Sequence, residues 1–541
     1  MEGGLPAKRY FDQFLGFTFG QLLDRLAQER PDQELLVYRD QRTTYGEFYQ
    51  QVLQMAAALR RLGIRKGDRV AALFPNRPEF FILQQACLYM GAVFVLLSTR
   101  YREFELSYML KHSGARCLFT IGEYMNTNFI ELIGKIKPEL PELELVFVLG
   151  SDGPDWCCSY DTLVSSDRAG NFNGLRDELP AYEDIASILY TSGSTGLPKG
   201  VMMSHRAFIF NSTQVSQRLR INPDDVSLMM VPCSHTLCAF IQFTNALMAG
   251  CRIVIMETFE PGEALRLYEK ERVSLIYGVP TMFHLMLDHP GFTNCDFKSS
   301  RAGYMGGAFC PKELVQAVRT KMNCQISCTY GMSENGCCTI SDLDDDETVK
   351  SETVGRPTAG IEIKLMSDER KEVPPGEVGE IVVRGENLFT GYYKQPDLTE
   401  ASFDPEGFFY TGDLGKFLEN GYLTIVGRKK EMIIRGGFNV YPVEVEEQIR
   451  LIEEIQSVAV IGIPDPVMGE KIIACIVPVP GKEVGPEEVI AFCKKRLANY
   501  KVPNAVVIMN AFPTTPIGKI QKFKLQAELT EKLVNEGIRE K

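Results

Sequence analysis

Ile188-Leu189-Tyr190-Thr191-Ser192-Gly193-Ser194-Thr195-Gly196-Leu197-Pro198-Lys199-Gly200 opens as a strand and turns into ten residues with three glycines, two serines, two threonines and one lysine. The run Ile185 to Tyr190 is apolar except for Ser187. Glycine lets backbone N–H groups come close to a bound anion, and hydroxyls and one ammonium complete a concave anion site. A polyphosphate is the natural ligand. The stretch is not the G-x-x-x-x-G-K-[ST] nucleotide loop, because Gly200 follows Lys199. A Gly/Ser/Thr cluster alone is ordinary loop material. The strand before it and Pro-Lys-Gly within it point to a built site.

Outward from this stretch, the chain reads as alternating strands and helices. Phe19, Leu22, Leu23, Leu26 and Ala27 share one helical face, and Leu35 to Tyr38 reads as a strand. Thr44 predicts a helix N-cap, with Glu47 closing a capping box and Gly63 stopping the helix after Leu62. Further strands are expected at Arg69 to Phe74, Gly91 to Leu97 and Ala115 to Thr120, with a helix from Glu105 to Lys111. This alternation predicts layered α/β subdomains with mainly parallel sheets. Residues 150 to 183 read as surface loops, and Ser204-His205-Arg206 opens a helix. Val382-Val383 and Tyr392-Tyr393 suggest a smaller β subdomain. From Val458 onward, strands and helices alternate again in what reads as a separate small α/β domain.

The 541 residues exceed one core and imply several subdomains. Net charge is −12, which argues against a nucleic-acid partner but not against nucleotide substrates held by local cations. The fifteen cysteines show no convincing four-ligand zinc spacing and read as reduced, mostly buried thiols of a cytoplasmic protein. Met1 to Arg9 has no apolar signal core. The uncharged stretches Phe80 to Thr99 and Val226 to Cys251 contain Gln84, Gln85, His235, Gln242 and Asn245, so each reads as buried helix plus strand, not a transmembrane segment.

Other motifs stand in order behind the first. These are His235 in Val231 to His235; Gly278-Val279-Pro280-Thr281; Gly303, Gly306 and Gly307; and Tyr330-Gly331-Met332-Ser333-Glu334. Next come Tyr410-Thr411-Gly412-Asp413, Gly427-Arg428-Lys429-Lys430-Glu431, Gly436 to Pro442 with Gly437, and Pro516-Ile517-Gly518-Lys519-Ile520. Tyrosine offers a flat face to adenine, a carboxylate suits Mg²⁺, and an aspartate can accept from both ribose hydroxyls. Taken singly, each motif has a bland structural reading.

Together, and nearly throughout the chain, they resemble adenylate-forming enzymes: acyl-CoA synthetases, aryl-acid ligases, luciferases and peptide-synthetase adenylation domains. The chain departs from that pattern at Leu96-Leu97, where relatives usually carry a proline. The resemblance implies a large N-terminal portion, residues 1–427, with layered α/β subdomains and a β subdomain, and a small mobile α/β C-terminal domain, residues 428–541. It implies ATP contacts at Thr191, Ser192, Gly193, Ser194, Thr195, Gly196, Lys199, Gly307, Tyr330, Gly331, Met332, Ser333, Asp413, Arg428, Lys430 and Gly437. Lys430 is the implied hinge, and Gly437 lies in the implied swinging loop. Glu334 would hold Mg²⁺, His235 would lie between the carboxylate site and the thiol entrance, and Lys519 would be the catalytic lysine.

The implied activity is that of an AMP-forming acid:CoA ligase using ATP, Mg²⁺ and CoA on an apolar acid, medium-chain fatty or aryl. A module loading a separate carrier-protein thiol is the alternative, and the short chain after Lys519 leaves no room for a fused carrier. A non-enzymatic nucleotide sensor is disfavoured by Glu334 and Lys519.

Overall fold

The computed structural model describes residues 10–150, 153–165, 179–191, 197–308, 310–436, 438–465, 467–515 and 519–536. The chain forms two compact units, Met1–Glu362 with Val383–Phe409, and Ile363–Val382 with Tyr410–Lys541.

Two large sheets build the first unit. One has nine strands, and its six central ones, Gln325–Met332, Ala302–Met305, Leu275–Gly278, Val226–Met229, Arg252–Ile255 and Glu34–Tyr38, are parallel. The other has eight strands in the order Gly391–Tyr392, Lys199–Ser204, Ile185–Thr191, Val93–Leu96, Arg69–Leu73, Cys117–Ile121, Leu145–Leu149 and Cys158–Ser159. Only the Gly391–Tyr392 and Lys199–Ser204 pairings in it are antiparallel. Interior parallel strands are covered on both faces and read as apolar runs. The helices between them pack as their spacing predicts: Phe19–Glu29 buries Phe19, Leu22, Leu23, Leu26 and Ala27. Thr44 caps Tyr45–Arg61 with Glu47 completing the box.

Two expectations change. Within 150–183, Cys158–Ser159 pairs with Phe147 and Val148, and the helix Tyr160–Ser165 buries Tyr160 and Leu163. A two-residue strand is too short to show a period in the sequence. Tyr392 does not join the small β sheet with Val382 and Val383; it pairs with Val201 beside the anion-site strand. The physical reason is non-local pairing: alternation shows that a strand exists, not which edge it joins.

In the second unit, a four-stranded sheet orders Ile361–Met366, Val378–Gly385, Phe409–Phe417 and Leu423–Arg428. A five-stranded sheet is centred on the antiparallel pair Ile455–Asp465 and Gly469–Pro478. Successive residues of a strand face opposite sides. Val458 and Val460 accordingly pack with Val445, Ile449, Val489 and Cys493 of the helices Pro442–Ile449 and Pro486–Arg496. Ala459 and Ile461 pack with Leu525 and Leu529 of Lys522–Glu536. Among the described residues, no helix is long and apolar enough to cross a membrane. Among the described residues, no cysteine forms a disulfide, and no group of three or more His, Cys, Asp or Glu could hold a metal.

Candidate active site

Two strands flank the glycine-rich stretch. Ile185–Thr191 and Lys199–Ser204 run antiparallel, with Thr191 opposite Lys199 at its mouth. Thr191 and Lys199 are half-buried; Ser192, Gly193, Ser194, Thr195 and Gly196 lie outside the described residues. After the hairpin, Ser204 caps the helix His205–Arg218 by accepting from the Ala207 N–H at 3.2 Å.

A second hairpin carries Tyr330 to Glu334. Its strands are Gln325–Met332 and Gly336–Ile340, and its register shifts between Tyr330 and Gly331. Asn335 closes the turn by accepting from the Met332 N–H at 2.8 Å. Gly331 is fixed by crowding, since a Cβ there would stand 1.6 Å from the Gly336 carbonyl oxygen. Tyr330 and Glu334 are buried, whereas Met332 and Ser333 are half-buried.

Tyr392 links the two hairpins. Its hydroxyl donates to Glu334 Oε1 at 3.1 Å, and the Lys199 ammonium sits 4.9 Å from its ring centroid. Burial, then the Glu334 charge, push the Tyr392 hydroxyl far above the usual phenol value, so it stays a donor. Sequence reasoning missed this link; the only signal was the Tyr392-Tyr393 pair, which reads there as part of a smaller β subdomain.

His235 is half-buried, and its Nδ1 accepts from the Leu237 N–H at 3.2 Å. In the neutral ring this leaves the proton on Nε2. A π-helical segment, Leu237–Gln242, follows directly; such local widening is frequent at functional sites. Gly307 is exposed in the turn after Ala302–Met305, with φ of 78°, where glycine is favoured.

In the second unit, Asp413 stands opposite Arg428 across antiparallel strands, and their side chains meet at 3.2 Å. The Gly412 N–H donates to Glu380, whose other oxygen pairs with Lys429 at 2.9 Å. Lys430 is exposed in the 3-10 turn Lys429–Glu431, which joins a strand of the four-stranded sheet to Ile433–Arg435 of the five-stranded one. Lys519 donates its backbone N–H to Thr515 Oγ1 at 3.0 Å, and Thr514 bridges Ile520. Its ammonium is pushed below the ordinary lysine value by desolvation and by Arg428 and Lys430, with Asp413 and Glu431 opposing. Asp413, Arg428, Lys430 and Lys519 thus share one charged neighbourhood. Gly437, Pro516, Ile517 and Gly518 lie outside the described residues.

Residues 23–393 match the profile of the AMP-binding enzyme family, and residues 444–519 match the AMP-binding enzyme C-terminal domain. The chain belongs to the AMP-binding enzyme family. The medium-chain acyl-CoA ligase ACSF2, mitochondrial, of Bos taurus is 32% identical over 95% of this chain and 88% of its own length. The 3-[(3aS,4S,7aS)-7a-methyl-1,5-dioxo-octahydro-1H-inden-4-yl]propanoyl:CoA ligase of Mycobacterium tuberculosis is 34% identical over 94% and 98%. The crystal structure of the anthranilate CoA ligase AuaEII in complex with anthranoyl-AMP superposes with a TM-score of 0.89, at 25% identity, over 98% of this chain and 100% of that one. This family member is therefore an acyl-CoA ligase in class, with the fold of its relatives: a large N-terminal portion and a smaller C-terminal domain. A carboxylic acid, ATP and CoA are the substrates of that class.

Proposed function

We propose that the chain activates an apolar carboxylic acid, medium-chain aliphatic or aryl, as its acyl-adenylate and then transfers the acyl group to CoA. One observation carries the substrate class: the stretches 235–240, 303–309 and 331–337 contain no Lys or Arg. Cys238, Ala239, Phe240, Tyr304 and Cys337 in them are buried, and Phe240 stacks on Phe208. A pocket of such residues accepts an apolar tail and leaves a second carboxylate without a counter-ion. The relatives named for medium-chain and ring-bearing acids support both options.

A carboxylate is a poor electrophile, because its charge repels a nucleophile. In the proposed first step, one carboxylate oxygen bonds to the ATP α-phosphorus as the bond to pyrophosphate breaks. Negative charge grows on phosphate oxygens, so donors and cations aimed there lower the barrier. Thr191, Lys199 and the 192–196 loop are the proposed phosphate ligands, Tyr330 with Gly331, Met332, Ser333 and Gly307 the adenine wall, and Asp413 with Arg428 the ribose contacts. Lys519 is the proposed α-phosphate ligand.

Glu334 fits Mg²⁺: it is a buried hard oxygen donor, and Mg²⁺ binds through one or two carboxylates plus substrate phosphates, not a dense protein cage. When bound, the ion would supply charge neutralisation at the phosphates. In the proposed second step the CoA sulfur attacks the adenylate carbonyl and AMP leaves. His235 is the proposed residue between the acyl carbonyl and the thiol.

Transfer to a separate carrier-protein thiol is the weaker reading, since the relatives are named as CoA ligases. Cytoplasmic residence is proposed from the cysteines alone, fifteen thiols with no disulfide. A pyrophosphate-release screen over chain length and ring substitution, with CoA or a carrier protein as acceptor, tests the reading. Turnover of dicarboxylates ahead of medium-chain and aryl acids would overturn it.

A further inference from the structure

The segment 387–393 clasps both hairpins of the candidate site. Toward the Glu334 turn, the Phe389 N–H donates to the Glu334 carbonyl at 2.8 Å, and Asn387 Nδ2 donates to the Asn335 carbonyl at 2.7 Å. Toward the anion-site hairpin, the Thr390 N–H donates to Met202 at 2.8 Å and the Tyr393 N–H to Gly200 at 2.7 Å. Tyr392 sits between these anchors, 5% exposed, with Phe389 packed edge-on at 4.9 Å. Its backbone has no slack: the Tyr392 N–H donates to Thr399 Oγ1 at 2.8 Å, and a Cβ at the preceding Gly391 would stand 2.8 Å from Thr399 Cγ2. The ring is therefore held with its hydroxyl on Glu334 and its face toward the Lys199 ammonium.

We infer that Tyr392 is a positioning residue for Mg²⁺-ATP, its hydroxyl orienting the Glu334 carboxylate and its ring face seating Lys199. This rests on the reading of Glu334 as the Mg²⁺ ligand and Lys199 as a phosphate ligand. The division of labour follows from the chemistry. A hydroxyl donating to an ionised carboxylate favours the charged, metal-binding form and fixes which oxygen turns outward. A ring face beneath an ammonium restrains a side chain with several free rotamers without neutralising its charge. One tyrosine thus touches both the anion and the cation of the proposed site.

The test is ATP binding to the full-length protein, measured by calorimetry in saturating Mg²⁺ and in EDTA, on Y392F, Y392L, E334Q and the Y392F/E334Q double variant. Y392F keeps the ring and loses the hydroxyl. It is expected to weaken binding in Mg²⁺ by about tenfold, the scale of one hydrogen bond to a charged group, and to leave binding in EDTA within about twofold. Y392L is expected to weaken binding in EDTA as well, by about threefold to tenfold, as the cation–π contact is lost. On the E334Q background, Y392F should cost nothing further. If E334Q itself leaves Mg²⁺-dependent binding intact, the underlying site reading fails and the inference goes with it. If E334Q weakens binding in Mg²⁺ but Y392F does not, the inference alone is overturned. Equal losses in Mg²⁺ and EDTA for Y392F would make Tyr392 a structural residue, also overturning it. Should Y392L not fold, the Y392F and double-variant arms decide.

Discussion

Asp413 and Arg428 face each other across the antiparallel strands Phe409–Phe417 and Leu423–Arg428, with Arg428 Nε 3.2 Å from Asp413 Oδ1. Asp413 is buried, while the Arg428 side chain remains partly exposed. The arginine therefore orients an acceptor without being consumed by it. Asp413→Asn keeps the shape and removes the charge. It is expected to raise the KM for ATP by about tenfold, a loss of about 1.4 kcal/mol, and to leave the KM for the acid within about twofold. Arg428→Gln added to it should do less than its effect alone, because paired residues are not additive. Initial rates of pyrophosphate release against ATP check both.

Gly331→Ala probes the second hairpin. The added methyl carbon would overlap the Gly336 carbonyl oxygen, so strands Gln325–Met332 and Gly336–Ile340 must separate locally. The expected result is a melting temperature lower by several degrees, from a destabilisation of at least about 2 kcal/mol, with loss of ATP binding. A variant with unchanged melting and unchanged ATP affinity would contradict the crowding described.

Lys519→Ala is expected to lower adenylation by about a hundredfold or more, the scale of one transition-state charge contact. Supplied acyl-adenylate and CoA should still give thioester at a rate within about tenfold of normal. The pH dependence has a defined sign. Desolvation, with Arg428 and Lys430, depresses the Lys519 ammonium, so its charge is lost on raising pH sooner than for an ordinary lysine. Adenylation should fall on an alkaline limb that thioester formation lacks, and Lys519→Arg should shift that limb upward. Half-reaction kinetics against pH measure it.

Lys430→Pro is expected to slow thioester formation more than adenylation. Lys430 lies in the single 3-10 turn between strands of two different sheets, and proline would fix its φ there. Single-turnover measurement of each half-reaction is the check, with equal losses counting against a hinge.

His205 gives a prediction about stability. It is fully buried, its Nδ1 accepts from the Phe19 N–H at 3.3 Å, and burial pushes its value down to about 4. The unfolded chain takes up a proton near the ordinary histidine value of about 6.5, whereas the folded chain does so only near 4. Stability therefore rises with pH across that window and falls by about 3 kcal/mol on acidification from neutrality to pH 4. His205→Asn should flatten this component in urea melts taken at several pH values, whatever it does to stability at neutral pH.

Most of the fold was legible because its signals are local. The Thr44–Glu47 box, the buried face of Phe19–Glu29 and the strands leading into Thr191 each announce themselves within a few residues. The order of the site motifs was legible for the same reason. The link through Tyr392 was not, since a two-residue edge strand has no period, and its partners Val201 and Glu334 are remote in sequence. The opposition of Asp413 and Arg428 was likewise hidden, because register depends on a bulge between Leu414 and Gly415 that no composition reveals.

The brevity of Gly391–Tyr392 has a consequence for how the protein behaves in a crowded cell. Lys199–Ser204 would be a bare outer strand beside the glycine-rich stretch if nothing covered it, and bare strands template association with other chains. The short strand covers it, and its own outward N–H, at Tyr392, is taken by Thr399 in the helix Pro396–Ala401. Lys394, with φ of 56°, then turns the chain away before a longer ladder can form. That edge is thereby closed to foreign strands, so substitutions at Gly391 or Thr399, which also hold Tyr392 in place, should raise aggregation and weaken ATP binding together.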